Sequence, residues 1–198
     1  MLRIVTLTLM LAGLMACRQN DGQTASAGNT ADSLQNAFRA YIQEKDQQFR
    51  QADWSPLKDN HKDGFEGLRY YPYQQDWRYV LPIERYQTPD SMIIRGTREG
   101  DQRPALRYGY IEFSKKGESH RLQIIKILPR KPGGQSHLFL GFRDRTSGQE
   151  TYGGGRYIDV KPTADGRYVV DFNYAYNPYC AYSDRYSCAI PPEANDLD

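Results

Sequence analysis

Residues 105–128 read ALRYGYIEFSKKGESHRLQIIKIL. Two runs rich in Tyr, Ile, Leu and Phe flank Lys115-Lys116-Gly117-Glu118, where glycine supplies the backbone freedom of a tight turn. Successive strand side chains point to opposite faces, so Leu106, Tyr108 and Tyr110 face one way and Arg107, Gly109 and Ile111 the other. The pattern predicts a hairpin of strands at 105–114 and 120–128. Working outward, similar runs predict strands at 68–73, 77–83, 91–96, 137–142, 156–160 and 167–173. The separators are Thr88-Pro89-Asp90, Glu99-Gly100-Asp101, Lys131-Pro132-Gly133-Gly134 and Ala164-Asp165-Gly166-Arg167. No helical pattern lies between these strands, which argues for antiparallel pairing over βαβ units. One helix precedes them. Asp32 can cap it, with Gln35 in a capping-box relation, and Leu34, Phe38, Tyr41, Ile42 and Phe49 recur at helical spacing. Residues 43–47 supply its wet face, and Trp54-Ser55-Pro56 ends it, because the residue before proline is pushed out of the α region. The class is α+β, mainly β: an N-terminal helix packed on an antiparallel β-sandwich or partly closed β-barrel.

The chain begins MLRIVTLTLMLAGLMAC. Arg3 provides a positive start and residues 4–15 an apolar run, too short for the about 20 residues a membrane-spanning helix needs. This is the pattern of a processed export signal. Leu14-Met15-Ala16-Cys17 resembles the lipobox of bacterial lipoproteins. The resemblance implies a signal peptide over residues 1–16, acylation of Cys17, and membrane anchorage through its lipid. Several chains hold far more firmly than one, at about 0.8 kcal/mol per buried methylene. Arg18 follows Cys17 in place of the Asp that retains such proteins at the inner membrane. The implied location is the cell envelope, at the outer membrane facing the periplasm where the host has one. Residues 17–31 form the lipidated Cys and a polar tether, with an end-to-end distance of roughly 20 Å, and 32–198 form a single globular domain.

Lys and Arg number 26 against 24 Asp and Glu. That near balance gives a nucleic-acid partner no electrostatic support. After acylation of Cys17 only Cys180 and Cys188 remain, which in an oxidising compartment predicts a disulfide between them. The 16 tyrosines cluster at 70–73 and 168–186, a composition that suits both sheet packing and binding surfaces.

The most distinctive block runs from Phe142 to Pro192. It contains Phe142-Arg143-Asp144-Arg145-Thr146-Ser147-Gly148, then Thr151-Tyr152-Gly153-Gly154-Gly155-Arg156-Tyr157. Asp171-Phe172-Asn173-Tyr174-Ala175-Tyr176-Asn177-Pro178-Tyr179-Cys180-Ala181-Tyr182 follows, then Cys188 and Pro191-Pro192. This resembles the bacterial family catalogued as domain of unknown function 1684, whose members carry F-x-D-x-T-x-G…T-Y-x-x-G-R-Y and then D-F-N-x-A-Y-N-P-x-C-A-Y…C. Fainter matches run through Trp54-Ser55-Pro56-Leu57, Phe65-x-Gly67-Leu68 and Gly109-x-Ile111-x-Phe113. The family commonly has Pro at the place of Ala189 and usually continues into a further apolar strand. The resemblance implies no particular activity.

The chemistry is therefore read from the residues. Gly153–Gly155 before Arg156 can bring backbone N–H groups and a guanidinium to an anion, or make a tight bend. Asp171, Asn173, Tyr176 and Asn177 lie within seven residues, either as a polar ligand site at a strand end or as caps for irregular backbone. Asp144 shares that ambiguity. His61, His120 and His137 stand far apart. No nucleophile elbow or short metal-ligand spacing is present, so neither a metal nor a cofactor is expected. The leading expectation is a non-catalytic binding domain for a small ligand, a glycan or an envelope protein. The alternatives are a hydrolase-like enzyme using an Asp carboxylate with Arg156, and an assembly factor without a small ligand.

Overall fold

A computed structural model describes residues 22–197. The expected signal peptide and Cys17 lie outside the described residues. Helix α1 spans Gly22–Gln51 and a single turn, α2, spans Asp59–Lys62. The strands are β1 Arg78–Leu81, β2 Glu84–Arg85, β3 Ser91–Arg95, β4 Gln102–Lys115, β5 Glu118–Ile127, β6 His137–Phe142, β7 Arg156–Ile158, β8 Lys161–Pro162 and β9 Tyr168–Asp171. They form two antiparallel sheets, one in the order β1-β9-β8 and one in the order β2-β4-β5-β6-β7, with β3 also on β4. Neither sheet closes on itself. The architecture is therefore a helix on a sandwich, and the barrel alternative falls away.

The large sheet buries both faces. Side chains alternate along a strand, so Ile124 and Ile125 belong to opposite faces, yet both are fully buried. Ile124 joins Ile111, Leu122, Leu140, Phe142 and Ile158 against Val170 of the small sheet. Ile125 joins Ile94, Ala105, Ile127 and Phe139 against Ala189 of the C-terminal segment. Strand β4 serves both clusters, although Ala105 and Ile111 would share a face in an unbroken strand. A bulge between Arg107 and Gly109 adds one residue and flips the side-chain alternation. The simple alternation expected for 105–114 is corrected on that ground.

Helix α1 lays Phe38 and Phe49 into an aromatic layer. Phe38 meets Tyr70, Tyr73 and Tyr174, and Phe49 meets Phe65, Tyr179 and Tyr182. Much of the tyrosine enrichment is thus packing between helix and sandwich. The helix starts ten residues before Asp32, so Asp32 is exposed within it and is no cap. From Gly22 onward, residues expected in the tether are helical. Each added residue of an existing helix gains one bond, and no proline stands in the way.

Residues 68–73, expected as a strand, join no sheet. Their anchors are side chains. Asp46 accepts the Leu68 N–H at 2.8 Å, Arg50 donates to the Phe65 and Glu66 carbonyls, and Asn173 clamps the Gln74 backbone through two bonds of 2.8 Å. Gly67 sits at φ +136°, where a Cβ would stand 2.9 Å from the Asp46 carboxylate, so only glycine lets this strap cross the helix.

Candidate functional site

Arg156 opens β7 directly opposite Phe142, the last residue of β6. The intervening turn is held by its own polar side chains. Asp144 accepts the Thr146 N–H at 3.0 Å and its hydroxyl at 2.6 Å. Arg156 donates to the other Asp144 oxygen at 2.5 Å, and the Thr146 and Thr151 hydroxyls lie 2.9 Å apart. Gly155 has φ +92°, and a Cβ there would lie 2.6 Å from the Phe142 carbonyl. The triple glycine is a tight bend, and Asp144 already neutralises the guanidinium expected to meet an anion. Arg156 also stacks on Phe142 and Tyr71, at 5.1 and 5.7 Å from their ring centres. Its Nε is buried without a hydrogen-bond partner.

Of the other predicted site residues, Asn177 shares a cleft with Arg156, whereas Asp171, Asn173 and Tyr176 do not line it. Asp171 caps the 3₁₀ turn Phe172–Tyr174 by accepting the Asn173 N–H at 3.0 Å. It also accepts from the Asn173 amide at 2.7 Å. Burial raises the Asp171 pKa, opposed by those two bonds and by Arg78. Asn173 is spent on Asp171 and the Gln74 backbone. The Tyr176 hydroxyl donates to Asp159 at 3.0 Å, and burial, with Asp159 beside it, raises its pKa far above the ordinary value. Asn177 accepts the Tyr152 N–H at 3.2 Å. Asp171 lines a hollow of about 240 Å³, Tyr176 one of about 340 Å³, and Arg156 a cleft of about 420 Å³. Asn177 lies where the last two adjoin, and Asp144 faces away from the cleft. As expected of caps, Asp171 and Asn173 bond inward.

Cys180 and Cys188 are free thiols in this structure, not the expected disulfide. They are nonetheless neighbours, with the Cys180 N–H donating to Cys188 Sγ at 3.2 Å. Burial, reinforced by the Cys180 contact, pushes the Cys188 thiol up to about 12. Tyr152, desolvated and bonded to Cys180, is also pushed up to about 12. A thiol held this far above neutral pH is a poor nucleophile.

What the cleft does expose was not singled out by sequence reasoning. Tyr71, 45% exposed, stands at its mouth and donates its hydroxyl to Glu150 at 2.8 Å. Burial and that bond raise its pKa. Tyr70, Leu68, Phe172, Tyr182 and Asn177 complete the walls. The signal was the Tyr70-Tyr71-Pro72-Tyr73 cluster, which places Tyr70 and Tyr73 against the helix and leaves Tyr71 outside. Among the described residues there is no cluster of three or more His, Cys, Asp or Glu that could hold a metal ion. Likewise, no described helix is long and apolar enough to cross a membrane.

A family model described as "Protein of unknown function (DUF1684)" matches residues 63–198, more than half of the chain, and the chain belongs to that family. The solution NMR structure of the uncharacterized protein from gene locus rrnAC0354 of Haloarcula marismortui is similar at 33% identity. The match covers 86% of this chain and 92% of that one, with a TM-score of 0.62. No curated protein matches the sequence.

Proposed function

We propose, proceeding from membership of that family, that this chain is an exported, lipid-anchored envelope protein whose sandwich binds a glycan in the Tyr71 cleft. The observation that carries the reading is the exposed Tyr71 ring, tied at its hydroxyl to Glu150 and backed by the Arg156 guanidinium. An aromatic face fixed in the open suits the apolar face of a sugar ring. Glu150, Arg69 and Asn177 around it offer the few polar groups that orient a ligand in a largely pre-formed pocket. A hydrolase built on paired carboxylates needs two at the cleft, whereas Glu150 is the one carboxylate among its lining residues. The Asp144 carboxylate beside Arg156 already accepts from that residue and twice from Thr146, which suits a structural anion better than a general base. Anchorage rests on the Leu14–Cys17 lipobox.

Labelled palmitate should mark the wild type and leave Cys17→Ser unmarked; label on the variant sinks the anchor. For the cleft, the probe is an array of envelope oligosaccharides, including soluble peptidoglycan fragments. Tyr71→Ala and Glu150→Gln should lose the wild-type signals while staying folded by far-UV circular dichroism, since both side chains are exposed and Tyr71→Ala gives up only its bond to Glu150 and its ring contact with Arg156. Unchanged signals in Tyr71→Ala, or no signal from the wild type, would overturn the glycan reading.

A further inference from the structure

A further hollow, of about 620 Å³, opens at one end of the sandwich, where the β4–β5 hairpin overhangs the segment before β1. Its walls are rings: Trp77, Phe113, His120, Phe142 and Phe172, with Leu197 beside them. They form one connected stack. Phe172 lies 5.2 Å from Phe113, 5.5 Å from Phe142 and 5.7 Å from Trp77, centre to centre, and His120 stacks on Phe113 at 5.2 Å. Water gains little against such a wall, and the size falls within the range of small-molecule pockets. The rim has the opposite character. Lys115 lies over the Trp77 ring at 4.0 Å and is paired with Asp76, so its charge is answered. Asp144 faces this hollow, but Arg156 answers its charge. Lys116, Arg145 and Glu118 line the same mouth, and none of them enters an ion pair among the described residues. Lys116 is held at φ +52° in the hairpin turn. Among the described residues, two unanswered cations against one unanswered carboxylate leave the mouth one positive charge in excess over an aromatic interior.

We infer that this end of the sandwich binds a single-chain amphiphile with an anionic head. Its apolar tail lies among Trp77, Phe113 and Phe172, and its head meets Lys116 and Arg145. Burial of methylenes provides the affinity, and the excess positive charge selects an anion over a neutral head. The site is separate from the Tyr71 cleft. Phe172 lines both, while the Asp144–Arg156 pair forms part of the wall between them.

The chain has two tryptophans, so Trp54→Phe leaves Trp77 as the only indole in the protein. Trp54 is exposed and contacts Tyr179 through its ring alone, a contact phenylalanine keeps. Decanoate, decyl phosphate and decanol, each below its micelle-forming concentration, are titrated into this variant and Trp77 emission is read. Decanoate or decyl phosphate should shift the emission saturably, and the tighter of the two identifies the head as carboxylate or phosphate. Decanol should bind about tenfold more weakly. Adding Lys116→Ala and Arg145→Ala, both on exposed side chains, should erase that preference, and salt should weaken it in the parent. Tyr71→Ala should leave the titration unchanged, which separates this site from the glycan cleft. No saturable shift with any probe overturns the site. Equal binding of decanol and decanoate, or an anion preference that survives loss of both cations, overturns the assigned head.

Discussion

Arg156 is either a ligand group or a beam of the fold, and a double-mutant cycle with Asp144 decides between them. Its side chain is 11% exposed and that of Asp144 23%, so the pair is largely shielded from solvent. Arg156→Ala removes one charge-assisted hydrogen bond, typically worth about 2 kcal/mol, and ring contacts with Phe142 and Tyr71 worth about 1 kcal/mol. Asp144 keeps its two bonds from Thr146 and is not orphaned, so the expected loss is about 3 kcal/mol. Asp144→Ala is worse. It leaves a guanidinium whose Nε is already unpartnered without its anion, and breaking such a buried pair costs about 3–5 kcal/mol. The double variant loses the shared interaction once, which predicts a coupling of about 2 kcal/mol. For a domain of this size Arg156→Ala should lower the melting temperature by roughly 6–12 °C. Urea denaturation followed by far-UV circular dichroism measures all four corners of the cycle. Single variants within about 0.5 kcal/mol of the wild type, adding without coupling, would refute the structural reading and free Arg156 for a ligand.

Asp101 should make the C-terminal segment acid-sensitive. A hydrogen bond from Arg103, with others from Ser187 and Arg130, holds its carboxyl well below the usual range against the opposing effect of burial. A depressed folded pKa stabilises above the unfolded value of about 3.9 and is lost as pH falls below it. Asp101→Asn should therefore cost about 2 kcal/mol near neutral pH, and its deficit should shrink as acid unfolding is followed down to about pH 2; a deficit that stays constant would contradict the assignment. Asn195, fully buried, accepts the Gln123 N–H at 2.7 Å and donates to the Gln123 and Gly141 carbonyls at 2.9 and 2.8 Å. Asn195→Ala should cost about 3 kcal/mol by chemical denaturation, and a loss under about 1 kcal/mol would show the clamp is replaced by water. Oxidised glutathione should close Cys180 and Cys188, the two thiols giving up their hydrogens as the glutathione disulfide is reduced. Intact mass should then fall by ~2 Da, whereas two alkylatable thiols after oxidation would exclude closure.

Much of the fold was legible because its signals are local. β6 was read at 137–142 residue for residue, and the apolar face of α1 carries the helical period. Elements held by distant partners were not legible. The strap at 68–73 looks like a strand by composition, but its anchors are Asp46 and Asn173, the latter paired with a position 99 residues away. The bulge at Arg107–Gly109 passes for alternation because Gly109 and Ile111 still follow period two, while Ala105 has changed face. At the site, the capping alternative for Asp171 and Asn173 is visible in the Asp-x-Asn spacing itself. Arg156 and Asp144 were each singled out, but no spacing rule paired them across 12 residues. Tyr71 and Glu150 are 79 residues apart, and only the folded chain brings a platform and its anchor together.

The motif block proves to be densest where the chain must be locked, which changes where ligand recognition should be sought. Asp144, Thr146, Thr151 and Arg156 turn their polar atoms on one another, and Asp171 and Asn173 tie the exit of β9 to the strap before β1. Tyr157, from the same block, donates its hydroxyl to the Ala189 carbonyl and so fastens the segment that covers the outer face of the large sheet. A side chain whose hydrogen-bonding capacity is used inside the fold has little left for a ligand. The groups with capacity to spare are exposed ones beside these locked residues: the Tyr71 ring with Glu150, and the cations Lys116 and Arg145. Because these are exposed, replacing them should alter what is bound while changing stability by no more than about 1 kcal/mol. Replacing motif residues should do the reverse, and measuring stability and binding on the same variants separates the two classes.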